Sequence, residues 1–106
     1  MCKTRVLSTK GDTVISSCMG CKMYYLWHNN LLLNFSIDAF EAFRGVVFSL
    51  PFHKNSLPFP DEEERIILHT PNEDICFAFC YEEFESFKLA IDESIYMNEV
   101  YQLMSK

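Results

Sequence analysis

A chain of 106 residues, 49% of them hydrophobic and ten of them phenylalanine, is long enough for one domain with its own core and too apolar for a disordered segment. Its net charge of −6 disfavours nucleic acid and anionic membrane surfaces, which select basic faces, and only Lys3, Arg5 and Lys10 among its basic residues fall close together. No apolar run approaches the ~20 residues of a membrane span, and Met1-Cys2-Lys3-Thr4-Arg5 does not lead into the apolar stretch of a signal peptide, so the expected location is the cytoplasm.

In chain order, Thr4 to Ser8 and Thr13 to Ser17 are β-rich, with Lys10-Gly11-Asp12 between them as a turn. Cys18-Met19-Gly20-Cys21 makes the next turn, with Gly20 expected to supply its unusual backbone angles. Met23 to His28 reads as a third strand. Asn29 and Asn30 tolerate the left-handed backbone of a tight hairpin, and a fourth strand follows with Leu31, Leu33 and Phe35 on one face. A helix is expected from about Ile37 to Ser49, with Ser36 as its N-cap, Asp38 and Glu41 near its positive end, and Phe40, Phe43 and Val47 as its apolar stripe. Pro51 ends it.

The stretch from Pro51 to Pro60, and the acids Asp61 to Glu64 after it, read as a surface connection without regular structure. The acid run fits a solvated face, with a partner-binding patch as the sharper alternative. Beyond it come a strand around Ile67-Leu68-His69, a turn at Pro71-Asn72-Glu73-Asp74, and a strand from Ile75 to Phe79. A second helix starts near Tyr81 and meets no breaker before about Met104. Its stripe is Phe84, Phe87, Ile91 and Ile95.

The two strand–helix stretches resemble each other. Residues 30–44 align without gaps on residues 74–88, so that Phe35, Phe40, Glu41 and Phe43 meet Phe79, Phe84, Glu85 and Phe87. The expected fold is therefore α+β: an antiparallel sheet with two helices on one face, and an internal duplication of a ββα unit in the order ββ-ββα-ββα. In a single domain spanning 1–106, residues 1–21 form an N-terminal hairpin and 22–50 the first copy. Residues 51–64 connect it to the second copy, 65–106.

Five cysteines in a reducing compartment read as thiols or metal ligands, not as a disulfide framework, and their odd number forbids full pairing within the chain. Cys18-x-x-Cys21 has the spacing of one zinc knuckle. If the first hairpin turns at residues 9–12, Ser8 lies opposite Thr13 and residue 2 opposite residue 19. That register brings Cys2 beside the knuckle, and three converging thiolates suit zinc. The fourth ligand is open. Cys80 aligns with Ser36, close to the knuckle end of the first hairpin, and is the weaker candidate. His28 belongs at the opposite end of its strand, and His53 and His69 have no placement. Cys76 and Cys80, on the strand face opposite Phe77, read as ordinary buried thiols.

The arrangement Cys2…Cys18-x-x-Cys21, followed by Tyr25-Leu-Trp-His-Asn-Asn-Leu-Leu-Leu-Asn-Phe-Ser36 and Phe40, resembles an uncharacterised family of short bacterial proteins with an N-terminal Cys…CxxC head. The likeness covers most of the chain. It implies a cysteine-bearing head, a strand pair and helix, then a second apolar strand and helix, and it brings no established activity. Such heads are expected to carry a further polar ligand close after the first cysteine. Here those positions are Lys3 and Thr4.

With only Gly11, Gly20 and Gly45 the chain has no glycine-rich phosphate loop, and neither G-x-S-x-G nor H-E-x-x-H occurs. The expected function is a small non-enzymatic interaction or regulatory module, with a structural zinc site and a protein partner or a second copy of itself. The alternative is a cysteine-dependent redox or thiol enzyme, or a sensor, using the CxxC turn. Dithiol enzymes place this motif at a helix N-terminus, whereas here it joins two strands.

Overall fold

Segments rich in β-branched, aromatic and leucine residues in the first third of the chain give four strands, β1 (Thr4–Lys10), β2 (Thr13–Cys18), β3 (Met23–His28) and β4 (Leu31–Ser36). They form an antiparallel sheet in the order β1-β2-β3-β4. A computed structural model describes residues 3–18 and 20–104. Gly11, at φ 55°, closes the β1–β2 turn in two residues, so that Lys10 pairs with Thr13. The wider turn with Ser8 opposite Thr13 does not form.

The register then shifts between Val6 and Ser8, a β-bulge that puts two successive side chains inside. Leu7 and Ser8 are both buried, and the Ser8 hydroxyl donates to the Ala90 carbonyl at 2.7 Å. Beyond the bulge Thr4 faces Cys18. The next hairpin turns at Asn29, which holds φ 54°. Ser36 ends β4 and caps α1 (Ile37–Phe48), its hydroxyl accepting the Ala39 N–H at 3.1 Å. Phe40, Phe43 and Val47 face the core as expected.

Two expectations are corrected downstream. The segment after Pro51 is not irregular: it contains a helical turn, α2 (Phe52–Asn55), and a short strand, β5 (Ser56–Pro58). Pro58 is tolerated because β5 lies at the sheet edge, where its missing N–H breaks no ladder. Nor do the strands form one sheet. β5 joins β6 (Glu64–His69) and β7 (Cys76–Phe79) in a second antiparallel sheet, ordered β5-β6-β7.

The physical reason is α3 (Tyr81–Met104), whose 24 residues make a rod of about 36 Å. It packs on β1 and β2 of one sheet and on β6 and β7 of the other. Both apolar faces thus close on one helix and need no ladder between them. The body is accordingly elongated, 50 × 23 × 21 Å. No helix among the described residues is long and apolar enough to cross a membrane.

One core runs through both halves. Its aromatic centre includes Phe35, Phe40, Phe43, Phe79, Phe84 and Phe87. Each such side chain contributes on the order of 1.5–3 kcal/mol on leaving water. At an offset of 44 residues several buried positions coincide, among them Tyr24 with Leu68, Phe35 with Phe79, Phe40 with Phe84, Phe43 with Phe87 and Val47 with Ile91, while buried Ala90 corresponds to exposed Val46. The hairpin registers do not. Tyr24 pairs with Phe35, whereas Leu68 pairs with Phe77. This shift of two residues leaves every side chain on its original face.

Candidate functional site

The cysteine turn is made where β2 passes into β3. Cys18 pairs with Met23 across the ladder, and the Lys22 N–H closes the turn on the Cys18 carbonyl at 2.8 Å. Lys22 takes the left-handed conformation at φ 55°. A Cβ at Gly20 would meet nothing within 4 Å, so no close neighbour requires a glycine there. Inside the turn the Cys21 N–H donates to the Cys18 sulfur at 3.4 Å. This backbone donor fixes the position of the Cys18 sulfur within the turn.

Cys18 is 1% exposed and carries a free thiol, while Cys21 is exposed and disulfide-bonded. Cys2, the third expected ligand, lies outside the described residues. Among those described, no three His, Cys, Asp or Glu side chains gather as a metal group.

Beside Cys18 opens a cleft of about 340 Å³ between the knuckle, the start of α1 and the end of α3. Ser17 lines it with a buried hydroxyl that has no hydrogen-bond partner among the described residues. Tyr24 lines it too, stacked on Phe40 at 4.2 Å. Burial pushes the Tyr24 phenol up, the Glu41 charge adds to this, and a hydrogen bond with Asn98 opposes it.

Cys80 is not part of this group. It precedes α3 and lines a different cleft, with His53, Tyr81 and Glu82. Its neighbour Phe79 packs against His28, at the end of β3 opposite the knuckle. The length of β3, roughly 17 Å, separates those two ends. The Cys80 backbone N–H donates to the Glu83 carboxylate at 2.9 Å, and, separately, a hydrogen bond from the Glu83 backbone to the thiol lowers the Cys80 pKa. Burial and the carboxylates of Glu83 and Glu82 outweigh that bond and raise it.

Two features were not expected. His28 sits where the two sheets meet, its Nδ1 2.9 Å from the Thr13 hydroxyl and its ring edge-on to Phe77, Phe79 and Phe87. Burial lowers its pKa, against the pull of Asp12 and Glu83. Cys76 is exposed, not buried, and its sulfur lies 3.2 Å from His69 Nδ1. Both belong to the solvent face of the second sheet because Phe77 and Phe79 take the core face. The signal for this pair was the alternation of β7 together with the β6–β7 register, and the register is not readable from sequence.

The chain matches, over residues 1–105, the model of a family of unknown function, DUF6686. No curated protein and no solved structure matches it.

Proposed function

The chain belongs to DUF6686, a family of unknown function, and from that premise we propose that it is a small cytoplasmic, non-enzymatic interaction or regulatory module whose cysteine head is held by zinc. The ligands in this reading are Cys2, Cys18 and Cys21. The observation that carries it is the Cys21 N–H donating to the buried Cys18 sulfur inside a turn closed by Lys22. A backbone donor of this kind orients and stabilises a metal-bound thiolate. Thr4 faces Cys18 at the end of the β1–β2 ladder, beside the turn, and Cys2, two residues earlier in sequence, is the third ligand in this reading. In a reducing compartment the sulfur that forms a disulfide at Cys21 is a thiolate available to metal.

An interaction role draws support from the outer face of the first sheet. Val14, Trp27 and Leu32 are successive cross-strand partners there. Trp27 is 53% and Leu32 58% exposed, an apolar row of the kind that docks protein, in the first instance a second copy of the chain. The matching burial at a 44-residue offset supports a duplicated ββα ancestor for the two halves.

Thermal unfolding of protein purified under reducing conditions, with and without a chelator, tests the zinc reading. Stoichiometric zinc and a melting temperature that falls on chelation are expected, because metal binding free energy is folding free energy. The disulfide at Cys21 favours a second reading, a redox dithiol. Zinc-free protein that melts identically with chelator, and whose Cys18 or Cys21 reacts fast with an alkylating agent, would replace the first reading by the second.

A further inference from the structure

We propose that Cys76 and His69 form a thiol-modification site, on which Cys76 exchanges with a low-molecular-weight disulfide to give a mixed disulfide. The site is independent of the cysteine head and of the zinc reading. It is built by the β6–β7 ladder, in which His69 and Cys76 are direct cross-strand partners. The pairing fixes the sulfur 3.2 Å from Nδ1, and both side chains stand on the exposed face. A free thiol with an adjacent base, open to solvent, is the arrangement that activates a sulfur nucleophile.

The chemistry balances without a metal or cofactor. With the ring proton on Nε2, Nδ1 accepts the proton of the Cys76 thiol. The thiolate attacks one sulfur of the incoming disulfide, forming one S–S bond as the old one breaks. The departing thiolate takes the proton back from Nδ1. Cys76 is oxidised, one half of the small disulfide is reduced, and that disulfide is the only oxidant consumed.

The other described free thiols provide internal controls. Cys18 is buried, and Cys80 lies beside carboxylates that hold it in the protonated form. Glu73 and Asp74 immediately precede the β7 strand region, so a cationic disulfide should react faster than an anionic one.

The experiment treats the full-length chain with cystamine and, separately, with glutathione disulfide, and maps adducts by peptide mass spectrometry over time. Cys76 should be modified about tenfold or more faster than Cys80, and cystamine should outpace glutathione disulfide. His69→Gln should slow Cys76 several-fold and shift its pH–rate profile while leaving the Cys80 rate unchanged. Cys76→Ser should remove the fast adduct and keep the slow ones. Equal rates at Cys76 and Cys80, or a His69→Gln chain of unaltered melting temperature whose Cys76 reacts as before, would overturn the proposal.

Discussion

The hairpin before α1 turns at Asn29 and Asn30, while the hairpin before α3 spends residues 70–75 on the same reversal. The two halves nevertheless bury many of the same aligned positions between Tyr24 and Val47 and between Leu68 and Ile91. The contrast separates what the core demands from what it permits. A register change of two residues keeps every side chain on its face, so hairpins can drift while the apolar stripe stays fixed. What differs between the halves is chemistry: the first has the knuckle at Cys18 and Cys21, and the second has the exposed Cys76–His69 pair.

If the two halves contribute equally to the shared core, Phe40→Ala and Phe84→Ala should each cost about 3–5 kcal/mol in denaturant unfolding, because both side chains are 0% exposed. A half that tolerated its substitution, with the other collapsing, would break the equivalence. The junction between the halves should respond to pH. Burial lowers the folded pKa of His28 below the unfolded value of about 6.5, so the unfolded chain takes the proton first. Stability should therefore be full above about pH 6.5, fall as the pH drops through that region, and level off once the folded ring is protonated too. In His28→Gln this slope should vanish from pH-dependent melting curves, whatever the absolute stability of the variant.

Smaller effects sharpen the comparison at the helix starts. Ser36 caps α1 with its hydroxyl, whereas Glu83 reaches back to the Cys80 N–H at the start of α3. Ser36→Ala should cost about 1 kcal/mol and Glu83→Ala about the same or less, both read from chemical denaturation. Smallest of all should be Arg44→Ala, which removes an exposed ion pair to Asp92 at 2.7 Å and should cost no more than about 1 kcal/mol.

Much of this fold is written locally. Ser36 as a cap, both apolar stripes, and the run of α3 to Met104 follow from residue type and period, because they depend on neighbours within a turn or two. What escaped sequence reading depends on distant partners. The bulge at Leu7 makes sense only with α3 present to receive Ser8 at Ala90. The second sheet gains its third strand, β5, from a proline-rich stretch that local rules assign to coil. The turn at Cys18 and Cys21 was legible from spacing. Its left-handed residue, Lys22, was not, because the sequence directs attention to Gly20. The Cys76–His69 pair needs a hairpin register that the loop at 70–75 leaves free in sequence.

In the proposed zinc reading, metal belongs to the Cys18–Cys21 turn and not to the second half. Zinc content per chain, measured on reduced wild-type protein beside Cys18→Ser and Cys76→Ser, tests that division most directly. About one zinc per chain is expected for the wild type and for Cys76→Ser, with loss in Cys18→Ser. A zinc-free wild type, or zinc retained when Cys18 is replaced and lost when Cys76 is, would contradict it.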